Sequence, residues 1–243
     1  MQKKKVHVII VTTKGGERMI KQKKRGSLII VSGTTCAGKG SVIQGLLERN
    51  KTMSLSISYT SRPIRPGEVN GREYIFISHE EFERKIEQGD FLEYAKVRYG
   101  EYFGTPKENV EAILETGKDV ILEIDVQGAQ QIKELMPETI LIFILAPSME
   151  EVKRRIKARG TETKEQILDR FQTAYREINE ISKYNYVVVN DVLEEAIKKV
   201  EAILISEKCR VDRIEEIYVE NQEEIIHEFL MGKEFDNSIQ KIQ

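Results

Sequence analysis

Four apolar, β-branched runs divide the chain: SLIIVSG from Ser27, DVILEIDV from Asp119, TILIFILA from Thr139 and YVVVN from Tyr186. Each is short and nearly unbroken, the pattern of strands buried on both faces of a parallel sheet. Helical spacing fills the intervals. Val42, Ile43, Leu46 and Leu47 follow the first run. Ser78 with Glu81 makes a capping box that Gly89 closes, and Pro106 opens a helix whose face is Val110, Ile113 and Leu114 before Gly117. Further starts fall at Ser148 with Glu151, Thr163 with Gln166 and Asp191 with Glu194. Strands alternating with helices predict an α/β fold, a mainly parallel sheet flanked by helices. Residues 59–107, rich in Arg, Gly, Tyr and Pro, break the rhythm and read as an inserted subdomain. Past Lys208, Ile225, Ile226, Phe229 and Leu230 fit an amphipathic turn or two that the sheet pattern does not place.

With 243 residues, 40% hydrophobic and 32% charged, the chain can build one or two cores and is too polar for a membrane protein. A net charge of -2 gives no overall bias toward nucleic acid. Its two cysteines, Cys36 and Cys209, supply neither a disulfide framework nor a CxxC site, which suits a reducing, cytoplasmic compartment. His7, His79 and His227 lack ligand spacing, so no structural metal is expected. The first 25 residues hold nine Lys or Arg against Glu17 alone. Their apolar run VHVIIV is too short to span a bilayer and lacks a cleavage site. They read as a flexible basic arm; no aromatic residues interleave the charges as nucleic-acid binding would want, and a translation start at Met19 would remove most of the segment.

Chemistry begins where the first strand run ends, in GTTCAGKGS. Gly33, Thr34, Thr35, Cys36, Ala37, Gly38 and Lys39 fit a phosphate loop, but Gly40 stands where a Ser or Thr hydroxyl is usual, and Ser41 follows it. Strand, glycine loop and helix in that order bring backbone N–H groups and a helix N-terminus onto phosphate, with Lys39 as the mobile charge. In SISYTSRPIRPGEVNGREYIF, residues 56–76, Arg62 and Arg65 each adjoin a proline and present forked donors to an anion, which Ser58 and Tyr74 can join; a solvated basic turn is the bland alternative. Glu123 and Asp125, two apart after an apolar run, share a strand face near the loop and suit Mg²⁺ waters or an acceptor nucleoside. Arg155 and Arg159 share a helix face before Gly160.

Together with FLEYAKVRYGEYFGT, LEIDVQGA and ARGTET, these stretches resemble guanylate kinase, a nucleoside monophosphate kinase of the P-loop family, from about Gly26 to Lys208. The resemblance implies a core sheet, a GMP-binding insert over 59–107 and a helical lid over 150–172, with 1–25 and 209–243 as extensions. It implies transfer of the γ-phosphoryl group of ATP to GMP, and to dGMP, with Mg²⁺ accompanying ATP. Gly33 to Ser41, Arg155, Arg159 and Asn190 then take ATP, with Asn190 near the adenine and Asp191 equally suited to capping a helix. The GMP phosphate falls to Ser58, Arg62, Arg65 and Tyr74, and the guanine to Glu93 and Thr105. Glu123 and Asp125 contact the acceptor, and Ser41 and Asp125 reach Mg²⁺ through water. Lys39, Arg62, Arg155, Arg159 and Arg170 carry catalysis, since phosphoryl transfer to an anionic acceptor needs positioning and charge neutralisation rather than a base. Where the family has paired tyrosines this chain has Tyr102 and Phe103, so one phosphate donor is missing or comes from Tyr102. Glu123 stands where an aspartate is also common. A kinase for another monophosphate, and a catalytically silent protein-interaction module, are the rival readings; no nucleic-acid or membrane partner is expected, and oligomeric state is not legible.

Overall fold

The computed structural model describes residues 20–22, 25–96, 100–158 and 164–217. By compactness the chain divides into a unit over residues 24–203 and a second drawn from both ends, 1–23 and 204–243. In chain order the elements are β1 (Ile20–Gln22), β2 (Leu28–Gly33), α1 (Lys39–Arg49), β3 (Met53–Leu55), β4 (Tyr59–Thr60), β5 (Ile75–Phe76), α2 (His79–Glu87), β6 (Phe91–Lys96), β7 (Tyr102–Pro106), α3 (Lys107–Glu115), β8 (Asp119–Glu123), α4 (Val126–Leu135), β9 (Ile140–Leu145), α5 (Met149–Ala158), α6 (Lys164–Ile178), β10 (Tyr186–Val189), α7 (Leu193–Lys208) and β11 (Ile214–Ile217).

The first unit is an α/β structure. Its main sheet runs β10-β9-β2-β8-β3 with every neighbouring pair parallel. The four apolar runs of the sequence are four of its strands, and β2 and β9 at its centre are buried almost throughout. Helices cover it: Leu28, Ile30, Val120, Leu122 and Leu141 pack with Val110 and Leu114 of α3 and Ala129 and Ile132 of α4. Burying an aliphatic side chain of this kind stabilises by roughly 1.5–3 kcal/mol, which is why the alternation of runs is so legible. The fifth strand, β3, has three residues, too few to show a period.

Residues 59–106 build a second, mixed sheet in the order β5-β4-β7-β6, with β4 parallel to β5 and the other pairs antiparallel. An aromatic stack, Phe91 on Phe82 at 4.5 Å and Phe82 on Tyr102 at 5.0 Å, fastens α2 to this sheet. Ser78 caps α2 by accepting from the Glu81 N–H, Ser148 does the same for Glu151, and Pro106 precedes α3, as the sequence predicts. Capping by Asp191 predicts a helix from the next residue; α7 instead begins at Leu193, and its Ala196 N–H reaches the Val192 carbonyl. The start at Thr163 lies outside the described residues.

In the second unit β1 pairs antiparallel with β11, with Ile20 opposite Ile217 and Lys21 opposite Glu216. Of the segment read as a flexible basic arm, residues 20–22 thus lie in a strand. A three-residue strand whose partner lies nearly two hundred residues away leaves no local pattern. Residues 1–19 and the apolar positions Ile225 to Leu230 lie outside the described residues. No helix among the described residues is long and apolar enough to cross a membrane.

Candidate active site

The loop that follows β2 is held by its carbonyl oxygens. The Lys39 ammonium donates to the Gly33 carbonyl at 2.7 Å and to that of Thr34 at 3.3 Å. Arg155 Nη1, from α5, reaches the Cys36 and Ala37 carbonyls at 3.3 Å each, and its Nη2 reaches the Asn190 carbonyl at 3.1 Å. The Asn190 amide, at the exit of β10, donates to Ala37 O at 2.8 Å and is itself 5% exposed. Four loop carbonyls therefore have donors supplied by three other places in the chain. Gly38 (φ 86) precedes α1 without a side-chain cap, and α1 has no acid in its first turn. An uncapped helix N-terminus beside a lysine is chemically suited to an anion. Gly38 has to be glycine for a second reason, since a Cβ there would run into the Asn190 amide.

A cavity of about 370 Å³ opens beside this loop, in the first unit. Gly33 and Lys39 line it from the loop, Ser58 and Tyr74 from the smaller sheet's margin, Glu93 and Phe103 from β6 and β7, Glu123 from the end of β8 and Asp125 from the cap of α4, beyond the strand on which the sequence pattern sets it with Glu123. At its far end the Thr105 hydroxyl donates to Glu93 Oε1 at 2.6 Å, and both residues are buried, 0% and 6% exposed. Burial pushes the Glu93 carboxyl up to about 7, against the pull of the Thr105 hydrogen bonds, with Asp125 adding to the rise. Gly128 makes this possible: a Cβ in its place would sit 2.7 Å from Glu93 Oε2. Asp125 caps α4, accepting from the Gly128 N–H at 2.9 Å. Burial likewise raises the Glu123 carboxyl, opposed by Lys39, and raises the Tyr74 phenol.

Arg62 is buried, 5% exposed, and paired edge-on with Glu68 at 2.8 and 2.6 Å, with its guanidinium 5.1 Å from the Tyr74 ring centroid and 5.3 Å from that of Phe76. Chiefly through the Arg62 hydrogen bonds, the Glu68 carboxyl falls to about 2. Arg65 is exposed, and its backbone N–H binds the same carboxylate at 2.8 Å. The two arginines are thus organised by one glutamate, beside Tyr74.

Tyr102 needs correcting as a donor to the cavity. Its hydroxyl donates to Glu83 of α2 at 3.2 Å and its ring joins the aromatic stack, while Phe103 lines the cavity. Adjacent strand residues face opposite ways, so with Phe103 on the cavity Tyr102 faces away from it, and no shift of backbone exchanges them. Arg159 lies outside the described residues. Arg170 lies on α6. Ser41 is exposed in the first turn of α1. Among the described residues no group of three or more His, Cys, Asp or Glu could hold a metal ion.

A family model described as guanylate kinase matches residues 25–207. The chain belongs to the guanylate kinase family. Relatives named guanylate kinase include that of Caldanaerobacter subterraneus subsp. tengcongensis, 55% identical over 204 residues, 84% of this chain and 98% of that protein. That of Clostridium tetani is 56% identical over 207 residues, 85% of this chain and 99% of that protein. The crystal structure of guanylate kinase from Anaplasma phagocytophilum matches with a TM-score of 0.66 at 33% identity, covering 81% of this chain and 93% of that one.

Sequence reasoning missed Glu68, Ser56 and Glu177. Ser56, 7% exposed and with no hydrogen-bond partner for its hydroxyl, shares the cavity wall with Ser58. The period of two along an extended segment was a usable signal for it. Glu68 and Glu177 carried none, because each is defined by a partner that only the fold supplies.

Proposed function

We propose that the protein is a guanylate kinase that moves the γ-phosphoryl group of ATP to GMP, and to dGMP, giving ADP and GDP. The observation that carries this reading is Glu93, held by the buried Thr105 hydroxyl and lining the same cavity as Lys39. Guanine presents adjacent N1–H and N2 amino donors that adenine lacks, and a carboxylate offers two acceptors to them. A carboxyl poised near 7 ionises easily once those donors arrive. Thr105 keeps the carboxylate turned and can face the base carbonyl.

At the other end, the acceptor phosphate would meet Tyr74, Ser58 and the two arginines. Arg62, fixed by Glu68 and stacked over Tyr74, supplies a stationary charge, and exposed Arg65 is the arginine with solvent around it. The donor's phosphates would rest on the loop and the N-terminus of α1. Lys39, already beside Gly33 and Thr34, needs only a short swing to reach them. Arg155 acts here by holding the loop's carbonyls, and charge neutralisation on the transferring group falls to Arg159 and Arg170 with Lys39. The acceptor is an anionic oxygen, so the chain needs no general base; it needs alignment and exclusion of water.

Mg²⁺ would come with ATP, held by phosphates and water and reached through water by Ser41 and Asp125, and would offset phosphate charge; hard oxygen donors in small number suit it. A cytoplasmic setting fits the cysteine usage.

ADP formation from ATP, followed over GMP, dGMP, AMP, CMP and UMP, tests the reading. GMP and dGMP should far exceed the others, and equal or absent rates across the panel would overturn it.

A further inference from the structure

Glu177, one residue from the end of α6, does something that the side chains of Lys39, Arg155 and Asn190 do not. Its Oε2 accepts the backbone N–H of Thr35 at 3.1 Å. Lys39, Arg155 and Asn190 all take carbonyl oxygens of the loop. Glu177 takes an N–H, from the opposite polar edge of the backbone. Its carboxylate is half-buried, lines the cavity with Lys39 and Asp125, and is raised by burial against the pull of Lys39 and of the Thr35 N–H.

The placement fixes more than one hydrogen bond. A peptide plane is rigid, so a plane gripped at both its oxygen and its N–H cannot rotate about the chain axis. The plane between Thr34 and Thr35 is gripped in this way, with the Thr34 carbonyl on the Ala37 N–H at 3.1 Å and on Lys39, and the Thr35 N–H on Glu177. One residue further on, beyond Thr35, Cys36 adopts φ 59, a left-handed conformation that a non-glycine residue holds only when its surroundings insist on it. Releasing the plane would let the strained turn relax and carry the loop with it.

We propose that Glu177 is a positioning residue for phosphoryl transfer: as a hydrogen-bond acceptor it locks the Thr34–Thr35 peptide plane and so sets the loop, and Lys39 with it, in the geometry that receives the donor's phosphates. It acts through the loop and need not touch substrate. The inference rests on the phosphotransferase reading above.

The test compares Glu177→Gln, whose amide oxygen can accept the same N–H, with Glu177→Ala, which cannot. For each, kcat, KM for ATP and KM for GMP are measured beside the wild-type protein, with rates normalised to the fraction that binds ADP in a calorimetric titration. Backbone hydrogen exchange is followed over the 33–38 peptide. Glu177→Ala should lose about tenfold or more in kcat/KM for ATP, with KM for GMP within about twofold of wild type and with faster exchange in the loop peptide. Glu177→Gln should restore most of the rate and the protection. Wild-type kinetics in Glu177→Ala, or equal losses in both variants, would overturn the acceptor role, the second outcome assigning the effect to charge. A loss in Glu177→Ala that normalisation to binding-competent protein removes, or that leaves loop exchange unchanged, would overturn it too. Should wild-type protein itself make no ADP from ATP and GMP, the functional reading falls, and the exchange comparison still decides whether Glu177 holds the loop.

Discussion

Replacing Glu93 by Gln should cost activity and return stability, with opposite dependences that the structure lets one work out. The amide oxygen of Gln can still accept the Thr105 hydroxyl, now 2.6 Å from Glu93 Oε1, so the side chain keeps its place. Toward guanine, however, an NH₂ donor would meet a donor. Losing a hydrogen bond to a charged acceptor and leaving a buried donor unpaired together cost about 3–5 kcal/mol, roughly a hundred- to a few-thousandfold in kcat/KM for GMP. KM for ATP should hardly change. For stability the sign is the reverse. The folded protein holds the Glu93 proton more tightly than the unfolded chain does, from an ordinary 4.5 to about 7. Wild type therefore loses stability as pH rises from about 4.5 through 7, by up to about 3 kcal/mol for a displacement of that size. Glutamine does not titrate, and the other carboxyls are common to both proteins. Thermal unfolding of the two proteins at pH 5 and pH 8 should show the variant gaining on wild type at pH 8. A Tm difference independent of pH would mean that burial does not perturb Glu93, and an undiminished preference for GMP over AMP would remove it as the reader of guanine.

The other predictions are smaller. Phe103→Tyr adds a hydroxyl on the cavity side of β7 and should lower KM for GMP by about fivefold, the worth of roughly 1 kcal/mol for one hydrogen bond; an unchanged or raised KM would show that no acceptor waits there. Glu68→Gln should raise KM for GMP and lower Tm at pH 7, because Arg62 is left buried without its partner carboxylate. Glu68 is depressed to about 2, so its contribution is complete above its ordinary 4.5 and fades as pH falls toward 2. The Tm gap should close over that window, and a gap that persists at pH 2 would contradict the ion pair. Gly40→Ala should stabilise α1 by about 0.5–1 kcal/mol, since a Cβ there meets only Glu123 Oε2, at 3.8 Å; a fall in Tm would show crowding that the geometry does not contain.

What was legible in the sequence had local causes. β2, β8 and β9 announce themselves because each is buried on both faces, β10 by its β-branched run alone, since as the edge strand it leaves Val187 and Val189 exposed, and α2 and α3 because Ser78 and Pro106 mark their starts. Lys39 could be placed from the strand, glycines and helix around it. Glu93 and Thr105 could not be: twelve residues apart in sequence, they meet only because β6 and β7 pair antiparallel in a register that sets them opposite each other. The family's pattern supplied what local reasoning lacked. Phe103, the second of the paired aromatics, lines the cavity and Tyr102 is turned the other way, since two adjacent aromatics on a strand cannot both face it. β1 and β11 illustrate the remaining gap, a pairing of two short segments from opposite ends of the chain.

The loop explains why Gly40 in place of a hydroxyl does not unmake the site. A phosphate cradle depends on the direction of its peptide planes more than on any one side chain. In this chain those planes are set from outside: Lys39 holds the Gly33 and Thr34 carbonyls, Arg155 those of Cys36 and Ala37, Asn190 that of Ala37 again. None of these contacts uses position 40. What the missing hydroxyl would give up is a ligand for a metal, and under the proposed function a metal brought by ATP phosphates and water would have little need of it. The same logic assigns the arginine. Arg155, expected over the donor's phosphates, spends three hydrogen bonds on backbone carbonyls, two of the loop and that of Asn190, and one more on Glu151 at 2.6 Å. A guanidinium committed in that way holds a shape; it is the lysine, bound to two carbonyls by a single rotatable ammonium, that can let go and move to phosphate.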